Sequence, residues 1–343
     1  MKTGLRWLVF SLGLGLVGWY VWRAGPEEIF KGLRQIGWWT PVVLMPFFLV
    51  YILDTWGWYL AFGAYTAVRP AYLTLFRVRW AAEAINSIIP SAYIAGEALK
   101  VYLLHKRGFP GMAAGTSVVA SKTCQVLAQV FFIGLGAIAA TNILPEKHGA
   151  RAGMMAVALA AFSLVGLIFL LQRRGMFSTL HGLLSRFSWF KALNKSQADL
   201  RTLDDQIYAF YRHDRLRFFR TTAAFLAGWL CDAVEVYLVC HLLGLKLTWT
   251  EAIAIEAFIG VAKGVGFFVP GALGVQESGV MLLFSIFGLP TPIALVYAVI
   301  RRGRDLFFVL VGGALLYSEE ASIKRVLDHA AVSGRSQETG VRR

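Results

Sequence analysis

Apolar runs too long for a soluble core constrain this chain more than any other feature. Leu5–Trp22, Trp38–Tyr65, Ala113–Leu144, Ala152–Leu171, Phe218–Leu243 and Thr291–Tyr317 are such runs. A helix rises about 1.5 Å per residue, so each is long enough to cross a hydrocarbon core of about 30 Å. Six full spans are expected, in an all-α polytopic transmembrane bundle. Composition agrees: 57% of residues are hydrophobic, 16% are charged, and the mean hydropathy is +0.59, far above a soluble domain. The first run follows Lys2 and Arg6 as a signal peptide would, but Trp19, Tyr20 and Trp22 at its end read as an interfacial belt, so a retained span is expected.

A net charge of +14 raises the question of nucleic acid, which would need a basic stripe on a soluble surface. Here the cations cluster between apolar runs, and no nucleic-acid partner is expected. The segment Arg173–Arg220 holds ten Lys/Arg against four Asp, which marks a cytoplasmic loop beside anionic headgroups and places both termini inside. The expected organisation is one transmembrane domain over 1–318, a basic cytoplasmic loop at 173–217 and a polar cytoplasmic tail over 319–343, part interfacial helix and part disordered. Cys124, Cys231 and Cys240 lack paired spacing, and no zinc, P-loop or dinucleotide fingerprint occurs, so neither metal nor cofactor is expected.

Two stretches are too broken to be simple spans. One lies between Arg69 and Arg107 and is interrupted by Pro90; the other runs from Ala252 to Leu289 and contains Gly264, Gly266, Pro270, Gly271 and Gly274. Each reads as a re-entrant hairpin. Sliding the chain by 180 positions aligns Pro90 with Pro270, Ala92 with Ala272, Glu97 with Glu277, Leu103 with Leu283, Gly108 with Gly288, Pro110 with Pro290, Ala114 with Ala294 and Lys122 with Arg302. Three full spans separate the hairpins, so the repeat cores, about 76–140 and 256–318, are expected to be inverted, as in transporters built on broken helices.

Ionisable groups inside apolar runs are candidates for function because each costs roughly 2.5–3.5 kcal/mol in lipid. Glu97, Lys122, Glu277, Arg301, Arg302, Arg304 and Asp305 facing lipid would together cost roughly 20 kcal/mol, beyond a typical total stability of about 5–15 kcal/mol. They must face one another or water. Tyr297, Arg301, Arg304 and Asp305 share one helical side, with Arg301 and Asp305 spaced to pair, and Ser121, Lys122, Gln125 and Gln129 form a second stripe. Two readings stay open: structural ion pairs, or a polar cavity with surplus cations suited to phosphate, helped by half-helix N-termini near Pro90 and Pro270. Glu83, Asn86 and Lys263 lie just before the two prolines and join the candidate site. Asp54, Asp232, Glu235 and Glu256 are also intramembrane and are expected to serve local hydrogen bonding.

The run Asn86-Ser87-Ile88-Ile89-Pro90 followed by Gly96-Glu97-Ala98-Leu99-Lys100, and Val269-Pro270-Gly271-Ala272-Leu273-Gly274-Val275-Gln276-Glu277 leading to Arg301, resembles the transmembrane domain of lysylphosphatidylglycerol synthases and related flippase-like proteins, some linked to hopanoid biosynthesis. The resemblance covers roughly 5–318 and implies an all-helical bundle that moves or presents lipids between leaflets of a bacterial inner membrane. Relatives tend to carry an acidic-basic pair and then an aspartate where this chain has Ser121-Lys122-Thr123-Cys124-Gln125, which leaves headgroup charge open. Aminoacyl transfer is not expected from the stretch after Tyr317. Lipid translocation is the leading expectation, with an anionic headgroup as partner. An intramembrane enzyme acting on a lipid headgroup or lipid-linked sugar, with Glu97 or Glu277 as acid or base, and a non-catalytic partner of lipid-biosynthesis enzymes are the alternatives.

Overall fold

The computed structural model describes residues 26–62, 69–89, 93–144, 149–173, 197–266, 269 and 272–340. The first apolar run, much of the basic segment, Pro90 and Pro270 lie outside the described residues. Among the described residues the chain is helical, without a strand. Helices are α1 (Pro26–Ile36), α2 (Thr40–Phe62), α3 (Tyr72–Ile88), α4 (Ile94–Lys106), α5 (Gly111–Ile143), α6 (Ala150–Arg173), α7 (Gln197–His213), α8 (Arg215–Leu242), α9 (Trp249–Val265), α10 (Val275–Ile286) and α11 (Thr291–Gly340).

Four helical stretches are long and apolar enough to cross a membrane: Phe30–Phe62, Gly111–Ile143, Ala150–Gln172 and Arg215–Leu242. They coincide with the second to fifth apolar runs. The sixth run is the first part of α11. The broken stretches resolve into short helices: α3 and α9 have 17 residues each, α4 has 13 and α10 has 12. At about 1.5 Å per residue none reaches 30 Å, so none of the four crosses a bilayer by itself.

The repeat appears in the backbone itself. After α4, the N–H groups of Arg107, Gly108 and Phe109 donate to the carbonyls of Leu103, His105 and Leu104; after α10, Phe287, Gly288 and Leu289 donate to Leu283, Ser285 and Phe284. Every donor and acceptor in the second turn is 180 positions beyond its counterpart. Gly108 and Gly288 hold φ of +87° and +69°, a left-handed geometry that favours glycine. The same offset carries α2 onto α8. These two helices pack together with opposite direction, since Asp54 lies against Gly228 while Gly57, further along α2, lies against Phe225, further back on α8. Equivalent helices that run antiparallel make the repeat inverted.

The halves interlock through α3 on α11 and α5 on α9. Glycine permits both approaches: Gly312 seats against Ala84 and the Trp80 backbone, and Gly136 against Ala257. Without a hydrophobic drive between helices in lipid, such close backbone packing holds the bundle together. Trp58, Phe62, Leu75 and Leu103 fill the first half, and Ile255, Phe284 and Tyr297 the second.

Two expectations need correction. The basic segment is not all loop: α7 lies within it, with Ile207 and Phe210 buried. The tail does not leave the last span as a separate or disordered piece. Instead α11 runs on to Gly340, and Glu319 is buried between Arg77 and Arg107, where an acid facing two guanidiniums extends the packing past 318.

Candidate functional site

The two helix breaks face a common cavity. One lobe, about 320 Å³, is lined by Ile88, Ile89 and Tyr93 from the first break and by Gly266, Val269, Ala272 and Leu273 from the second. A second lobe of about 240 Å³ reaches inward to Asp54, Arg79, Lys122, Gln125, Asp232 and Arg301. Phe47, Tyr51, Glu83, Tyr93 and Lys263 line both, so the lobes are continuous. Ile88, Ile89 and Leu306 form an exposed apolar rim on the outer lobe. The outer lobe therefore has an exposed apolar edge beside its polar lining.

Backbone strain gathers at the breaks. Tyr93 and Ala272, with φ of +65° and +51°, are the non-glycine residues of positive φ among those described. Such conformations cost about 1–3 kcal/mol and persist where surrounding packing fixes them. Asn86 accepts a hydrogen bond from the Gly96 N–H at 2.8 Å, tying the end of α3 to the start of α4. Glu277 accepts from the Gly274 N–H at 2.7 Å, capping α10. Side chains thus take one backbone donor at each break, Gly96 and Gly274; Asn86 lines the cavity, and its carbonyl oxygen braces the hairpin.

Ion pairs account for most of the intramembrane charge. In the second half, the Arg302 Nε donates to Glu277 at 2.8 Å, and its Nη2 to the same oxygen. Arg301 grips Glu256 through both terminal nitrogens, at 2.6 and 2.7 Å. Arg304 bonds Glu235, donates to Asp305 at 2.8 Å and lies 3.6 Å from the Phe47 ring centroid. In the first half, Arg79 pairs with Asp54, Lys100 donates to Glu97 at 2.9 Å, and Lys122 lies 3.7 Å from Glu97 while donating to Gln125 at 3.0 Å. Gln125 in turn donates to Asp54 at 3.2 Å.

The pairs Glu97–Lys122 and Glu277–Arg302 occupy equivalent positions of the repeat, and so do Glu83 and Lys263. The last two face the same cavity. Lys263 makes neither an ion pair nor a hydrogen bond among the described residues.

The structure gathers Asn86, Lys122, Gln125, Lys263, Arg301, Arg302 and Asp305 at the cavity, with Glu97, Glu277 and Arg304 directly behind. The expected Arg301–Asp305 pair is not the one made: helix rotation turns Arg301 to Glu256 and leaves Asp305 to Arg304. Nor is there a broad surplus of cations, because Arg301 and Arg304 are committed to carboxylates. Arg79, within the broken stretch between Arg69 and Arg107, is buried against Asp54. Glu235 and Glu256 serve as counter-ions, a role their position in apolar helices hinted at without naming the partners.

No curated protein matches the sequence. The family described as the lysylphosphatidylglycerol synthase TM region matches residues 6–313. With nearly the whole chain covered and an inverted, cavity-bearing helical bundle in place, the chain belongs to this family of integral membrane proteins of lipid metabolism or transport.

Proposed function

We propose that the protein translocates a lipid between leaflets, headgroup through the cavity and tails outside it. The observation that carries this reading is the cavity shared by the two helix breaks. It has an apolar rim at Ile88, Ile89 and Leu306 and a polar interior in which Lys263 makes no ion pair or hydrogen bond among the described residues. A phosphodiester entering from the side meets Lys263 and Arg302 first and Lys122 deeper in. Arg302 leaves Glu277 to take the phosphate, and Glu277 keeps its cap on Gly274, so the exchange of partners is felt at the second break. Lys122 and Glu97 repeat the arrangement at the first break, in opposite orientation. Filling one pair and then the other moves the headgroup across the pseudo-symmetry axis. The reaction leaves the lipid unchanged, and the lipid favoured by three cavity cations is anionic.

Purified protein in liposomes of phosphatidylethanolamine and phosphatidylglycerol, carrying a trace of headgroup- or tail-labelled phosphatidylglycerol, tests this. Labelled lipid should become accessible to a membrane-impermeant quencher faster than in empty liposomes. Lys263→Gln and Arg302→Gln should each lower that rate by roughly ten-fold or more, the effect of about 1.4 kcal/mol at a charge-assisted contact. Mass spectrometry of the recovered lipid should show no new species; a mass change would indicate a headgroup-modifying enzyme instead.

A further inference from the structure

Beside the inner lobe, α8, α9 and α11 enclose more acid than base. Arg301 is taken by Glu256, and Arg304 by Glu235 and Asp305. Lys263 faces Asp305 across the cavity. Against these three cations stand Asp232, Glu235, Glu256 and Asp305. An uncompensated charge in such a place costs several kcal/mol, so the cluster must take up one positive charge.

Two of the four acids keep an oxygen without a hydrogen-bond partner among the described residues, and one of these lines the cavity. Both Glu256 oxygens bind Arg301, and Glu235 and Asp305 each bind Arg304. Asp232 accepts no hydrogen bond among the described residues: its Oδ1 is buried and unpartnered, and it meets Arg304, already bound to Glu235 and Asp305, only as a longer ion pair at 3.7 Å. The Glu235 Oε1 is likewise unpartnered, but Asp232 is the one that lines the cavity. The other groups around the lobe do not supply the missing charge. On α2 to α5, Asp54, Glu83 and Glu97 stand beside Arg79, Lys100 and Lys122, three acids to three cations, and Cys231 beside Asp232 is a free thiol.

The ligand that fits is a proton. A metal ion would need several oxygen donors and would sit against the Arg304 guanidinium, whereas a proton on Asp232 needs a single carboxylate oxygen. We propose that Asp232 is a proton-binding site of the cavity and that its occupancy sets how strongly the cavity holds an anionic headgroup. The second clause rests on the lipid-translocation reading. Protonated, Asp232 leaves Lys263 and Lys122 to the phosphate; ionised, it competes for them. Proton and anionic lipid therefore favour each other's binding, by the same factor in both directions. A proton taken from water on one side and released on the other would then bias the direction of lipid movement.

Infrared difference spectroscopy of the full chain in liposomes tests the site without any lipid assay. A protonated-carboxyl C=O band that disappears as pH is raised should move when aspartate carrying carbon-13 at its side-chain carboxyl is incorporated, and should be lost in Asp232→Asn. The absence of such a band, its failure to move on aspartate labelling, or its survival in Asp232→Asn overturns the proposal. The labelling arm needs no variant and stands even if Asp232→Asn does not fold. In the same vesicles, a pH gradient should shift the leaflet ratio of labelled phosphatidylglycerol, and Asp232→Asn should lose that response. Lipid that moves at a rate and ratio indifferent to the gradient overturns the coupling. If no lipid moves in any condition while the aspartate band is present, the translocation reading fails and the proton site stands.

Discussion

In the second repeat Arg302 closes onto Glu277 through two hydrogen bonds, whereas its counterpart Lys122 stands 3.7 Å from Glu97 with its ammonium turned to Gln125 and 5.0 Å from the Tyr93 ring centroid. The difference has a local cause. Lys100 reaches Glu97 at 2.9 Å, and the second repeat has Val280 at that position, so Glu277 has one cation to satisfy where Glu97 has two. A flexible ammonium with a competitor is held more loosely than a planar guanidinium with a carboxylate to itself. Both halves bury arginine against carboxylate, Arg79 in the first and Arg301 and Arg304 in the second, while Lys122 remains about a third exposed. One half of the inverted pair is thus anchored and the other is poised to exchange partners.

Removing the deepest cation should separate the halves most sharply. Arg304→Met leaves Glu235 and Asp305 buried beside α8 and α11 without their donor, which should cost about 3–5 kcal/mol. Lys122→Met, at a wetter position, should cost no more than about 1 kcal/mol. Unfolding in mixed micelles measures both, and equal losses would dissolve the distinction between an anchored and a poised half.

Double-mutant cycles probe the equivalent pairs directly. Glu277→Gln combined with Arg302→Gln should give a coupling energy of roughly 1–3 kcal/mol, and Glu97→Gln with Lys122→Gln less than about 0.5 kcal/mol, because Lys100 remains to occupy Glu97. Removing the competitor sharpens the comparison: in a Lys100→Val background, which copies the second repeat, the Glu97–Lys122 coupling should rise toward that of its counterpart.

Legibility from sequence followed the rarity of the residue types. Pro, Gly and charged residues inside apolar runs stand out, so the helix breaks, the 180-residue offset, and the inward placement of Lys122, Lys263, Arg301 and Arg302 were readable. The partners were not. Arg301 and Asp305 look like a pair because they are local, yet which side of α11 meets α9 depends on how α3 packs against it, and Glu256 lies 45 positions away. Arg79 sits near Arg77 in a stretch that reads as basic flank. Arg77 does reach Ser318 and Glu319 on α11, but two residues later a helix has turned by more than half a circle, and Arg79 points inward to Asp54. Asp232, Glu235 and Glu256 carried a signal of cost without a signal of role, since a lone acid in a span says only that something must answer it.

The smallest expected effect concerns the strained residues at the two breaks. Ala272 at φ +51° makes no special side-chain contact that would explain an alanine there, so Ala272→Gly should relieve the left-handed strain and stabilise by about 0.5–1 kcal/mol. Tyr93 at φ +65° has the same backbone problem, but its ring faces the Lys122 ammonium, an interaction of about 0.5–2 kcal/mol. Tyr93→Gly should therefore gain nothing and leave Lys122 free to move closer to Glu97. Thermal unfolding of the two glycine variants side by side distinguishes a residue kept for its side chain from one that merely tolerates its backbone. If both stabilise alike, the Tyr93 ring does not hold Lys122, and the looseness of the first half must come from Lys100 alone.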